Sequence, residues 1–63
     1  MTTGEKLRNL RGEKTRSQVA NDLNISYSMY IKLERDERIA SDEMKKRIAV
    51  YYGQSIESLF FSS

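Results

Sequence analysis

Residues 15–34, TRSQVANDLNISYSMYIKLE, contain the start and stop signals of two consecutive helices. Thr15 and Gln18 have the spacing of a capping box, in which each side chain binds the backbone N–H of the other residue. Asn24 tolerates the left-handed conformation in which many helices end. Ser26 is a favourable N-cap for the next helix. The stretch therefore predicts two helices joined by a tight turn.

Similar signals predict three further helices. The first covers about residues 3–11 and stops at Gly12. Ser41 caps a later helix that ends before Gly53, and Ser55 caps a short helix with the sequence IESLFF. Apolar residues recur at helical spacing, and no strand-like alternation is present in the sequence. We therefore expect an all-α fold of five helices in one domain that spans residues 1–63.

The composition excludes several kinds of site. The 63 residues include no Cys and no His, which removes disulfides, zinc sites, cysteine nucleophiles and histidine bases. The three glycines are isolated, so the chain has no glycine-rich phosphate loop. We therefore expect no enzyme activity, metal, cofactor or small-molecule ligand. Because a small core gives marginal stability, oligomerisation is the remaining means of reinforcement.

The sequence shows no signal peptide and no membrane-spanning segment. The N-terminal MTTGEKLRNLRG has no apolar run, and no segment approaches the roughly 18 apolar residues of a membrane span. A chain without Cys also fits a reducing compartment. We expect a cytoplasmic protein that does not enter a membrane.

The two central helices form the pattern of a helix-turn-helix. In that motif the second helix enters the major groove of DNA, and its N-terminal residues reach the edges of the bases. The charge distribution supports this weakly, since residues 1–38 carry eight basic and six acidic side chains, whereas residues 39–63 carry three of each. The location of the charges matters more than the small net charge.

The chain resembles the Xre family of helix-turn-helix regulators, which includes lambda-type repressors and Cro proteins. The segments TRSQVA, LNIS, LER and IAVYYGQSIESLF carry the resemblance through their order and spacing. It implies a compact, five-helix, lambda-repressor-like bundle with its helix-turn-helix at about residues 16–35. It also implies sequence-specific binding of double-stranded DNA by a small stand-alone transcriptional repressor of phage or bacterial type. The chain departs from the common pattern at Arg16, Asn24, Asp36 and Ala40, and its link between the first two helices is short.

The outer face of the second helix of the motif carries the candidate base contacts. Tyr30 and Leu33 share a face that we expect to lie in the core, whereas Met29 fits either the core edge or the groove. At about 100° per residue, positions 27, 28, 31 and 32 form a patch on the opposite side. In related repressors this patch faces the major groove, although a solvated surface is the alternative. The predicted base contacts are Tyr27, Ser28, Ile31 and Lys32.

Four residues around the motif are candidate contacts to DNA phosphates. The resemblance suggests that the start of the first helix of the motif grips a phosphate. The arginines that follow the second helix are positioned to flank the groove. Solvated side chains are the alternative for the arginines, and capping is the alternative for the threonine. The predicted phosphate contacts are Arg16, Thr15, Arg35 and Arg38. The resemblance also suggests an internal ion pair between Arg11 and Glu34. This pair would orient the second helix of the motif, which we call the recognition helix.

The C-terminal segment has more apolar side chains than so small a domain is expected to bury. We predict that part of it forms a homodimer interface, which would let two copies bind an inverted repeat with half-sites about one helical turn apart. The alternative is that the segment folds back on its own core. The predicted interface residues are Tyr52, Leu59, Phe60 and Phe61. A protein-interaction module, such as an antitoxin or anti-repressor with the same fold, is the alternative function.

Overall fold

The computed structural model describes residues 1–61 and contains four α-helices followed by a short π-helix. Helix α1 spans Thr3–Arg11, α2 spans Arg16–Leu23, α3 spans Tyr27–Glu34, α4 spans Asp42–Tyr52, and the C-terminal π-helix spans Glu57–Phe61. Within residues 1–61 no strand is present. The prediction of an all-α fold with five helices is confirmed.

The helix boundaries follow from the caps that the sequence predicts. The Thr15 hydroxyl accepts a hydrogen bond from the Gln18 backbone N–H at 3.1 Å, and the Gln18 side chain accepts one from the Thr15 N–H at 2.9 Å. Ser26 caps α3 in the same way by accepting from the Met29 N–H. Asn24 ends α2 in the left-handed conformation, with φ 59° and ψ 44°. The turn between α2 and α3 is thus determined by local interactions.

The core lies between α3 and the helices around it. Helix α3 packs against both α1 and α2, and Tyr30 on α3 is completely buried, as its shared face with Leu33 predicted. The Tyr30 hydroxyl is also buried, and it lies 2.7 Å from the hydroxyl of Tyr52 on α4. The buried apolar residues are Leu7, Val19, Ala20, Leu23, Tyr30, Leu33, Ala40, Ile48, Ala49 and Leu59.

The C-terminal segment differs from its prediction in two respects. Residues Glu57–Phe61 form a π-helix, which is wider than the predicted regular helix. The Ser55 hydroxyl still accepts a hydrogen bond from the Ser58 N–H at 3.0 Å. Leu59 was predicted to lie at a dimer interface, but only 1% of it is exposed. The side chain of Leu59 fills the core of its own chain, so it has no surface to offer a second copy. Phe61, in contrast, is 66% exposed.

The end of α3 is joined to the start of α1 through Asp36. This residue has a positive φ of 58°, and its carboxylate accepts a hydrogen bond from the Gly4 backbone N–H at 2.9 Å. A Cβ atom at Gly4 would overlap the carbonyl oxygen of Glu34. The close approach of the start of α1 to the end of α3 therefore requires glycine at position 4. This contact fixes the C-terminal end of α3 against α1.

Candidate nucleic-acid interface

One face of α3 is open to solvent at its N-terminal end. Tyr27 is 50% exposed, Ser28 and Lys32 are also exposed, and Ile31 is partly buried. Among the hydrogen bonds and ion pairs of residues 1–61, none involves the side chains of Tyr27, Ser28 or Lys32. The four predicted base contacts thus lie on one helix face, with three polar side chains available to a ligand. Met29, which the sequence left open, is also partly buried.

The opposite end of α3 contains a charged cluster that we call the Glu34 cluster, formed by Glu34, Arg11 and Arg16. The Arg11 Nε atom lies 2.7 Å from one carboxylate oxygen of Glu34, and the Arg16 Nε atom lies 3.1 Å from the other. Glu34 is completely buried, whereas 41% of the Arg16 side chain is exposed. One carboxylate on α3 therefore holds an arginine from α1 and another from α2.

The environment of Glu34 keeps its carboxylate ionised. Burial alone would raise the pKa of Glu34, but hydrogen bonds from Arg11, Tyr30 and Arg16 together outweigh it and lower the pKa below its ordinary value. The same hydrogen bond to Glu34 raises the pKa of Arg11. Burial is also the main cause that raises the pKa of Tyr52, whose hydroxyl faces that of Tyr30. The carboxylate of Glu34 is thus a buried anion that its hydrogen-bond donors keep charged.

The four candidate phosphate contacts are in different environments. The Thr15 hydroxyl already serves as the cap of α2, and Arg16 belongs to the Glu34 cluster. Arg35 forms an exposed ion pair with Glu37, with 3.3 Å between the charged atoms. Arg38 is exposed in the segment between α3 and α4. Arg38 has no ion pair among residues 1–61, and Arg16 uses only its Nε atom to bind Glu34, so both keep their terminal amino groups available for a phosphate. Arg35, in contrast, uses a terminal amino group to bind Glu37.

The sequence did not predict two of the contacts that place the motif. The Arg8 side chain donates to the Glu34 backbone carbonyl at 2.6 Å, and the Arg47 side chain donates to the carbonyl of Leu23. Both contacts join residues more than 20 positions apart, so no local pattern signals them. Each satisfies a carbonyl group at the C-terminal end of a helix of the motif, where intrahelical partners are lacking.

A surface network joins α4 to the last turn of α2 and to the segment that precedes α2. The Tyr51 hydroxyl donates to the Asp22 carboxylate at 2.6 Å and accepts from the Lys14 ammonium at 3.0 Å. The hydrogen bond to Tyr51 is the main cause that raises the pKa of Lys14. Lys14 is therefore engaged within the protein, beside the N-terminal end of the motif.

The apolar surface of the C-terminal segment is small and lies beside a lysine. The Lys45 ammonium lies 4.9 Å from the ring centroid of Phe61 and 5.8 Å from that of Phe60. Phe60 is partly buried, and so is Tyr52. Of the four predicted interface residues, Phe61 thus offers the most surface, and Leu59 offers none.

Comparison with known proteins places the chain in a family. A family model described as helix-turn-helix matches residues 5–59, which is most of the chain. No curated protein and no solved structure matches the chain significantly. Across residues 1–61, the helices are too short or too polar to cross a lipid bilayer. The chain therefore belongs to the Xre and lambda-repressor-like helix-turn-helix family, whose members are DNA-binding regulators.

Proposed function

We propose that this protein binds specific sites on double-stranded DNA and acts as a small stand-alone transcriptional repressor of phage or bacterial type. The observation that carries the proposal is the open face of α3. Its polar side chains Tyr27, Ser28 and Lys32 have no partner among residues 1–61, while Tyr30 and Leu33 hold the opposite face in the core. A rigid helix with a free N-terminal face suits insertion into the major groove.

The chemistry of this face suggests what it recognises. Lys32 can donate to the O6 and N7 acceptors of a guanine, and Ile31 can contact the methyl group of a thymine. Tyr27 and Ser28 can each donate to or accept from a base edge or a phosphate. We therefore expect a half-site that contains both a G·C and an A·T pair within the reach of α3.

Phosphate contacts would supply orientation and much of the affinity. Arg16 and Arg38 are the principal candidates, with Thr15 and Arg35 as secondary ones. Each phosphate that the protein neutralises should add about −0.9 to the slope of log affinity against log salt concentration. Binding should therefore weaken steeply as salt is raised.

We also propose that two copies bind an inverted repeat. Phe61 and the exposed part of Phe60 are the candidate contact surface, with Tyr52 at its margin. Leu59 contributes only indirectly, since it anchors the π-helix in the core. Sedimentation at micromolar concentration should show a species of twice 7.4 kDa. A Phe61→Ala variant should shift it toward the monomer, and a monomer in the unaltered protein would refute the dimer.

The direct test of DNA binding is selection from random duplex DNA, followed by affinity measurements on the selected site. Lys32→Ala should lose preference for the selected site over random DNA, with about 1–3 kcal/mol of discrimination removed. Arg38→Ala should weaken binding to both kinds of DNA alike. Lys46→Ala, on the exposed side of α4, is the matched lysine control and should bind normally.

The outcome of the selection separates the two functions. An enriched sequence and salt-dependent binding would support the repressor proposal. If the folded protein retains no DNA at low salt, the proposal is wrong, and the protein-interaction alternative would take its place.

A further inference from the structure

The Glu34 cluster contains a feature that a purely structural ion pair does not need. Arg16 uses only its Nε atom to bind Glu34, at 3.1 Å. In the described part of the chain, its two terminal amino groups form no hydrogen bond. The side chain is 41% exposed, although its partner Glu34 is completely buried. The guanidinium of Arg16 is therefore held by its inner edge while its outer edge remains open.

We propose that Glu34 is a positioning residue for DNA binding, which fixes the guanidinium of Arg16 so that the two terminal amino groups bind one DNA phosphate. This inference rests on the proposed DNA-binding function and adds to it a link between two helices of the motif. Arg16 is the first residue of α2, and Glu34 is the last residue of α3. The residue that ends the recognition helix thus orients a phosphate contact on the helix before it.

The division of the carboxylate between two arginines supports this role. Arg11 donates to one oxygen of Glu34 through Nε at 2.7 Å and to the other through Nη2 at 3.4 Å, and it is largely buried, with its Nη1 atom donating to the Lys14 carbonyl at 2.9 Å. Arg11 is therefore occupied on both edges. Arg16 shares the second of these oxygens, which accepts from its Nε atom at 3.1 Å, and it is occupied on one edge only. The cluster carries one acidic and two basic groups, so one positive charge remains for an anion.

Arginine is required at position 16 by this geometry. The planar guanidinium presents its donors in a rigid fork, so that one edge can bind a carboxylate while the other binds a phosphate. A lysine ammonium is a single point charge and cannot hold both partners in fixed directions. An arginine that is already held in place loses less conformational freedom when DNA arrives, which strengthens binding.

The change in net charge caused by Glu34→Gln would by itself strengthen DNA binding, whereas loss of positioning would weaken it. Glu34→Gln removes a negative charge from a protein that binds a polyanion, so attraction alone predicts tighter DNA binding. If Glu34 instead positions Arg16, the neutral amide holds the guanidinium more weakly and DNA binding falls. The direction of the change in affinity therefore separates positioning from charge.

The experiment is a double-mutant cycle on DNA affinity, measured by fluorescence anisotropy with the selected duplex at fixed salt. Circular dichroism first establishes that each variant is folded at the temperature of the assay. Glu34→Gln and Arg16→Ala should each weaken binding about 10-fold, and the combined variant should be no weaker than Arg16→Ala alone. Arg35→Ala is the matched control, since Glu34→Gln should keep its full effect in that background.

Arg16→Lys tests the same idea without altering the buried carboxylate. It keeps the positive charge but should still lose most of the roughly 10-fold contribution of Arg16. The proposal is overturned if Glu34→Gln tightens binding, if its effect is unchanged when Arg16 is absent, or if Arg16→Lys binds like the unaltered protein. Failure of the proposed function has a different signature, because the unaltered protein would then show no salt-dependent binding at all.

Discussion

Replacement of Arg11 by alanine should destabilise the protein severely. The change removes the 2.7 Å ion pair to Glu34 and the 2.9 Å hydrogen bond to the Lys14 carbonyl. Removal of the only partner of a buried charge costs about 3–5 kcal/mol. Glu34 would keep its contact to Arg16, so the cost should lie nearer the value of one hydrogen bond to a charged group, about 1.5–3 kcal/mol.

This loss is large relative to the stability of so small a domain. At about 0.05–0.15 kcal/mol per residue, a chain of 63 residues has a free energy of unfolding of roughly 3–9 kcal/mol. The Arg11→Ala variant should therefore lose between about a sixth and all of its stability. Urea denaturation followed by circular dichroism at 25 °C should show a much lower midpoint with an unchanged slope.

Arg35→Ala is the control for Arg11→Ala, because it breaks an exposed ion pair instead of a buried one. Arg35 also pairs with a glutamate, Glu37, but both side chains are exposed and the charged atoms are 3.3 Å apart. Exposed pairs of this kind contribute about 0–1 kcal/mol. If Arg11→Ala costs no more than Arg35→Ala, then Glu34 does not depend on Arg11 and the account of the buried cluster is wrong.

Three further changes test other parts of the structure. The pKa of Glu34 is lower in the folded than in the unfolded state, so its contribution to the free energy of unfolding is complete above its ordinary pKa of 4.5 and should be lost as the pH falls below that value. Glu34→Gln should therefore flatten the acid side of a plot of stability against pH. A plot that is unaltered in this variant would contradict the prediction. Gly4→Ala should cost about 1–3 kcal/mol, because the new Cβ meets backbone atoms that cannot move freely; a gain in thermal stability would show that helix propensity dominates instead. Leu59→Ala should lower the free energy of unfolding in urea by about 2–5 kcal/mol, because Leu59 is buried. Phe61→Ala should change the stability of the monomer by less than about 0.5 kcal/mol, because Phe61 is exposed. Equal losses in the two variants would contradict this difference in burial.

The parts of the fold that could be predicted are those determined by neighbours in sequence. The capping boxes at Thr2 and Thr15 need only residues three positions apart, and Asn24 ends α2 through its own backbone conformation. Tyr30 could be assigned to the core because it shares a helix face with Leu33. These features depend on spacing and residue type, which the sequence displays directly.

The parts that could not be predicted depend on residues that are distant in sequence. Asp36 has a positive φ, and its carboxylate has a partner 32 positions away at Gly4. The bond between Arg16 and Glu34 spans 18 positions. The C-terminal segment forms a π-helix in which Leu59 is buried. Spacing alone does not distinguish these arrangements from a regular helix with an exposed apolar face.

The open face of α3 also bears on how this protein could change its target. Tyr27, Ser28 and Lys32 are exposed, and the free energy of unfolding owes little to them. A library randomised at these three positions should therefore remain folded while its members prefer different DNA sites. Ile31, which is partly buried on the same helix, links the two properties and should tolerate fewer replacements. New specificity could thus evolve, or be designed, in this scaffold through a few solvent-facing substitutions and without repacking its interior.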